Sequence, residues 1–248
     1  MAFLKRTRAV LGRAFSILTT LSLFAGLAYG AYWVVSDPAS PLPSHWNPTA
    51  PLIVDDPITP LTKLKLAKAL ADNQSCLSVL ETADITTTVL PDLITSDVCH
   101  IKGRNTLRAV GDVMLRPVET RCETSLRIAM WAKHGLQPAA QRIYGSNLAQ
   151  IDHFSSYNCR QIRSVTGNTG RMSTHATADA IDVSGFRLKD GQRISLLKGW
   201  NGSPQDQEFL RAARDTSCMW FETTLGPDYN SLHADHFHLQ NTGWGSCR

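Results

Sequence analysis

Ser173-Thr174-His175-Ala176-Thr177-Ala178-Asp179-Ala180-Ile181-Asp182 and, further along, His233-Ala234-Asp235-His236-Phe237-His238-Leu239-Gln240 are the two stretches whose reading decides the fold. Half of the eight histidines fall in them. Phe237 and Leu239 give the second stretch strand character, and a strand's period of two puts His236 and His238 on one face. Ala180-Ile181-Asp182-Val183 reads as another short strand, with Asp182 turned away from Ile181 and Val183. A carboxylate beside a buried β-branched run needs a partner. Two imidazoles and a carboxylate suit Zn²⁺, and three protein ligands leave a fourth tetrahedral position open, as in catalytic sites.

His175 and Asp182 within S-x-H-x-x-x-x-A-x-D, followed by a distal H-x-H, resemble the zinc peptidases of the lysostaphin and D-Ala-D-Ala peptidase group, which cleave peptidoglycan peptides. More narrowly, Tyr157-Asn158-Cys159-Arg160, the Ala180-to-Phe186 run, Leu225-Gly226-Pro227 and His236-Phe237-His238-Leu239 resemble the extensin-like C-terminal domain of bacterial envelope proteins, over roughly residues 60 to 248. The resemblance implies that His175, Asp182 and His238 are the zinc ligands, with His236 beside the metal and His233 a further active-site histidine. The chain departs from the pattern at Ala178, where the larger family has Gly, and at Gln240, where extensin-like relatives often have Asp. His45, His100, His134 and His153 are read as core or surface residues.

The expected function is a zinc-dependent peptidase, an amide hydrolase acting on peptidoglycan peptides; the alternative is a non-catalytic zinc-containing module that binds peptidoglycan. A hydrolase needs a group that moves protons beside the metal, and His233 and His236 are the candidates. Glu222 is the acidic alternative and a poor one. Arg160 matches a position where related peptidases keep an arginine for a peptide's terminal carboxylate, and its planar fork suits that group. Arg171 is a second candidate for the substrate. Ser173 is grouped with the two arginines at the substrate site, as a hydrogen-bonding loop residue and not a nucleophile, since no pattern that would activate its hydroxyl accompanies it.

Upstream, residues 14–35 carry no charge, and 22 residues of helix at about 1.5 Å each span the roughly 30 Å hydrocarbon core. Lys5, Arg6, Arg8 and Arg13 precede the span, so residues 1–13 are expected as a basic cytoplasmic tail and the remainder outside the cytoplasm. Ala28-Tyr29-Gly30 offers a cleavage site, but the apolar run continues through Tyr32, Trp33, Val34 and Val35, which favours a retained inner-membrane anchor over a cleaved signal. Beyond those four, the remaining 21 basic residues balance the 21 acidic ones, which argues against a nucleic-acid partner. Residues 36–60 hold seven of the twelve prolines and are expected to form a semi-rigid extended stalk.

The folded part, residues 61–248, is expected to be α+β, a small antiparallel sheet carrying the zinc site and flanked by helices. Helices are predicted over Leu61–Leu70, Glu119–Lys133 and Ser203–Arg214, with one or two further turns over 137–144 stopped by Gly145. Strands are predicted over Leu148–Phe154 and Met219–Leu225. All six cysteines follow the apolar span and no C-x-x-C pair exists, so three disulfides in an oxidising periplasm are expected. Six cysteines allow 15 connectivities. We expect Cys76 to pair with Cys99 and Cys159 with Cys218.

Overall fold

The computed structural model describes residues 2–37, 40–164 and 167–248, with side chains from Gly12 onward except at 164 and 168. The basic side chains of Lys5, Arg6 and Arg8, and Pro38 of the proline-rich stretch, lie outside that description. Two compact units emerge: residues 1–52 with 57–65, and residues 53–56 with 66–248.

The first unit is built on helix α1 (Ala2–Ser36), whose segment Gly12–Ser36 is long and apolar enough to cross a membrane. The proline-rich stretch that follows is not the extended stalk expected. A 3₁₀ turn forms over Ser44–Trp46, and the Thr49 hydroxyl donates to the carbonyl of Val35 at 2.7 Å. Lys65 Nζ donates to the carbonyls of Ser44 (2.6 Å) and Pro51 (3.2 Å), and the Thr59 hydroxyl to that of His45 (2.9 Å). Prolines deny this segment helix and sheet, so side-chain donors satisfy its carbonyls instead.

In the second unit, helices α2 (Thr62–Ala69, from Leu66 on) and α3 (Asn73–Thr82) precede strands β1 (Ile85–Val89), β2 (Leu93–Ser96), β3 (Cys99–Ile101), β4 (Arg104–Val110) and β5 (Val113–Arg121). Helices α4 (Cys122–Trp131) and α5 (Gln137–Tyr144) are joined by a π-helical turn over Ala132–Leu136 and lead into β6 (Leu148–His153), β7 (Gln161–Ser164), β8 (Gly167–Met172) and the long β9 (Ala180–Leu188). Then follow β10 (Arg193–Ser195), α6 (Leu196–Gly199), α7 (Pro204–Ser217), β11 (Thr223–Leu225), β12 (Phe237–Gln240) and β13 (Ser246–Cys247).

Nine strands form one sheet in the order β1-β4-β5-β6-β9-β12-β11-β13, with β10 also paired to β9. The sheet is therefore larger than expected, and it is mixed: β5 pairs parallel to β6, and β11 parallel to β13. The α4–α5 segment between β5 and β6 supplies the long connection that a parallel pair requires. β9 lies at the centre, and Ile181, Val183 and Phe186 are fully buried. Phe186 meets Phe209 of α7 at 5.2 Å and Trp131 of α4 at 5.9 Å, both edge to face, a geometry that adds about 0.5–1.5 kcal/mol per pair beyond burial. Gly185 is required where β10 crosses, because a Cβ there would sit 2.6 Å from the carbonyl oxygen of Ile194.

The predicted helix over Glu119–Lys133 starts later than expected. Glu119 to Arg121 complete β5, whose buried positions Val113, Leu115, Val118 and Thr120 face the core, and Glu119 pairs with Thr106 across the ladder. Gly135 does not stop the helix, which passes through the π turn and ends at Gly145 in the left-handed region. The strand predicted over Met219–Leu225 is confined to Thr223–Leu225, and α7 runs one turn past Arg214. The disulfides are Cys76–Cys122, Cys99–Cys159 and Cys218–Cys247, correcting both expected pairs. Each joins elements that only the tertiary fold brings together: α3 to the start of α4, β3 to the segment before β7, and the end of α7 to β13.

Candidate metal centre

β9 and β12 are antiparallel neighbours, and their register sets Asp182 directly opposite His238. Asp182 Oδ1 lies 3.0 Å from His238 Nδ1. The third member, His175, comes from the 3₁₀ turn Thr174–Thr177, where Ser173 caps the start by accepting the His175 N–H at 3.3 Å. The turn leaves through Ala178, the non-glycine residue with positive φ (53°) among the described residues. A left-handed alanine costs about 1–2 kcal/mol. The Thr124 hydroxyl, donating to the Ala178 carbonyl at 3.1 Å, helps to hold it there.

Three donor atoms converge. His175 Nε2 is 3.1 Å from Asp182 Oδ1 and 3.1 Å from His238 Nδ1, so with the 3.0 Å contact they form a nearly equilateral triangle. Outer hydrogen bonds fix which ring nitrogens carry protons. The Ser156 carbonyl, which can only accept, takes the Nδ1–H of His175 at 2.8 Å. Gln240 donates its amide NH₂ to the carbonyl of Thr242 at 2.6 Å, turning its Oε1 toward His238 Nε2 at 3.3 Å and toward the Thr174 hydroxyl at 3.1 Å. His175 Nε2 and His238 Nδ1 are then bare lone pairs aimed at a carboxylate oxygen. Such a triangle repels itself unless a cation, a proton or a metal ion, lies within it. Ligand bonds of about 2.0–2.1 Å in a tetrahedral site separate the ligands by about 3.3 Å, close to the distances here. The residues fit a metal ion, and His175, Asp182 and His238 form the group able to hold one among the described residues.

When the triangle holds protons on its rings instead of a metal, burial of Asp182 opposes its ionisation, but hydrogen bonds from His175 and His238 and the positive charge they then carry outweigh it and hold the carboxyl well below the usual carboxylate range. His236 precedes β12, with Nδ1 against Asp235 Oδ1 (2.8 Å) and Nε2 3.6 Å from Asp182 Oδ1. The His233 ring lies 5.2 Å from that of His236 and 5.9 Å from that of His238, and its Nδ1–H donates to Asn230 Oδ1 at 2.7 Å, leaving Nε2 bare. Burial, then the positive charges that His238 and His236 carry when protonated, push the His233 pKa down to about 4. His233 and His236 therefore border the cluster. Phe154 and Tyr229, exposed rings set edge-on to His236 and His233, were not read from the sequence as part of the site.

The expected substrate residues stand differently. Ser173 is buried and serves the turn through its cap. The Arg160 carbonyl accepts the Ser173 N–H at 3.0 Å, but its half-buried guanidinium donates to the carbonyl of Gln161. Arg171 is exposed on β8. Neither guanidinium has a described contact with the His–Asp cluster. Glu222 is half-exposed beside Arg127 at 3.7 Å. Ser156, whose carbonyl orients His175, was missed because a main-chain acceptor leaves no signal in residue type.

A mixed α+β domain whose central strands present a buried His–Asp–His triangle suited to a metal cation is the class that fold and site define. The chain belongs to the extensin-like family: residues 74–248 match the model described as Extensin-like protein C-terminus. No curated protein and no solved structure matches the chain.

Proposed function

We propose that this chain is a zinc-dependent peptidase that cleaves peptidoglycan peptides at the outer face of the bacterial inner membrane. The observation that carries the reading is the triangle of His175 Nε2, Asp182 Oδ1 and His238 Nδ1, with tautomers set by Ser156 and Gln240. Two imidazoles and one carboxylate match the ligand set of catalytic zinc, as the sequence resemblance to the lysostaphin and D-Ala-D-Ala peptidase group also implies. Bound Zn²⁺ supplies Lewis acidity, polarising a carbonyl and acidifying the attacking water.

The chain's own residues supply the rest. His236, its Nδ1 held by Asp235, turns Nε2 toward the cluster and orients water or steadies negative charge developing on the substrate. His233 keeps a bare Nε2 and serves as the base that takes a proton and returns it to the leaving amine. Arg160, tied to Ser173 through the main chain, is the candidate for a substrate carboxylate. One apolar helix and three disulfides support a single-pass anchor with the domain in the periplasm.

The test is incubation of the full chain, in detergent, with purified peptidoglycan, followed by mass spectrometry of released fragments. Hydrolysis is expected in the unaltered protein, and loss of hydrolysis with metal retained is expected in His233→Ala and His236→Ala. Binding without release of any fragment would favour a non-catalytic binding module, and unchanged hydrolysis in both variants would remove the assigned proton-transfer roles.

A further inference from the structure

The first unit does more than tether. Beyond α1 the chain turns back on the helix end: Asp37 N–H donates to the Trp33 carbonyl and Ser40 N–H to the Asp37 carbonyl, both at 2.9 Å. The Ser40 hydroxyl bonds the Val34 carbonyl and the Thr49 hydroxyl bonds that of Val35. Val34 and Val35 lie in the last turn of α1, where a helix C-terminus leaves carbonyls without intrahelical partners. The return is visible in solvent exposure, since the apolar side chains of the span stand open while Val34 and Val35 are half-buried. Asn47, inside the returning segment, is buried and accepts from Thr49 N–H at 2.9 Å, and Lys65 and Thr59 close the hook from the far side.

The hook's geometry fixes the position of Trp46. Two residues separate it from Thr49, so it lies within about 10 Å along the chain of the residue bonded to the helix end. The polar layer of a bilayer adds roughly 5–7 Å on each side of the hydrocarbon core. A 25-residue span rises about 37 Å, so its last turn, with Tyr32 and Trp33, emerges at that layer. Trp46 is 51% exposed and Trp33 50% exposed, an unusual arrangement for two indoles in water and a favourable one at a membrane interface, where the ring is half solvated.

We infer that residues 40–49 form an interfacial seat, in which Trp46 inserts among lipid headgroups beside Tyr32 and Trp33 on the side of the membrane where α1 ends. The partner is a phospholipid surface, and the argument for it is continuity: the hook is hydrogen-bonded to the end of a helix that is long and apolar enough to cross a membrane and whose apolar side chains from Phe15 to Trp33 stand exposed. The seat converts the proline-rich segment from a swinging tether into a fixed emergence point. It is independent of the metal centre.

The experiment uses the full chain reconstituted in phosphatidylethanolamine and phosphatidylglycerol vesicles, with tryptophan emission quenched by shallow-brominated lipid or by aqueous iodide. Subtracting the emission of Trp46→Phe and of Trp33→Phe from that of the unaltered chain isolates each indole. The expected result is loss of both contributions in bromolipid and little loss of either in iodide. Trp33 quenched by bromolipid with Trp46 quenched by iodide alone would overturn the seat while leaving the span intact; iodide quenching of both would overturn span and seat together. Thr49→Val, which removes the hydroxyl shared between the Val35 carbonyl and Asn47 Oδ1, is expected to shift the Trp46 contribution from lipid to iodide quenching. No shift in that variant would overturn the hook as the cause.

Discussion

Asp182 and His238 face each other as register partners on β9 and β12, with Oδ1 and Nδ1 3.0 Å apart. Cross-strand pairing sets that distance, so the carboxylate and one imidazole are in place whether or not a metal is bound. His175 completes the group from a turn, and its orientation depends on the carbonyl of Ser156.

Replacing His175, Asp182 or His238 by Ala is expected to remove most of the metal from purified protein, read by elemental analysis. Zinc retained in all three variants would show that the ion sits elsewhere. Each lost group is a direct ligand in this arrangement, so the losses should be of similar size.

Gln240 touches no metal in this scheme, yet its Oε1 holds His238 Nε2 and accepts from Thr174. Gln240→Leu is expected to weaken zinc binding by about 10–100-fold, the usual effect of removing a ligand's outer hydrogen-bond partner, with circular dichroism unchanged. Competition titration against a zinc chelator checks it. Affinity equal to that of the unaltered chain would mean that the strand alone orients the imidazole.

Stability should decline with acid below about pH 6.5, the ordinary histidine value. Burial lowers the pKa of both His134 and His153, against the raising effect of their bonds to the carbonyls of Val54 and Arg116. The unfolded chain then binds more protons than the folded one as pH falls, so this contribution is complete above the unfolded value and is lost toward and through the folded values. His153 adds a specific cost, because its buried Nδ1 has no partner to receive a proton's hydrogen bond. Melting temperatures from about pH 7.5 to about pH 5 should fall, and less steeply in His153→Asn. A flat profile in the unaltered protein would refute the assignment.

Peptide mapping without reduction should recover Cys76–Cys122, Cys99–Cys159 and Cys218–Cys247. The bridges span 46, 60 and 29 residues, and the chain-entropy model gives each about 4 kcal/mol. Domain stabilities of about 5–15 kcal/mol make full reduction a large loss. Denaturant melts with and without reductant measure it; coincident melts would show that the bridges contribute nothing.

Where local pattern and final structure coincide, the reason is local physics. Ser203 caps α7 and Gly145 ends α5 through bonds within a few residues of each. Where they part, a distant partner decides. Glu119 to Arg121 are helix-compatible, but the ladder to β4 and the Arg104–Glu119 ion pair at 2.5 Å draw them into β5. Strands β1 to β5 were not read from the sequence, though Ile85-Thr86-Thr87-Thr88-Val89 is a β-branched run and Val113, Leu115 and Val118 are spaced for one buried face.

By itself the sequence determined the apolar helix, the stock of six cysteines and the identity of the three residues able to hold a metal, because hydropathy, composition and ligand chemistry are properties of side chains. Tertiary structure alone decided which cysteines meet, which strand pairs run parallel, and which nitrogen of His175 is bare. Those depend on groups far apart in the chain. The Ser156 carbonyl that fixes the last of them is identical in every residue, so only its position in space gives it a role.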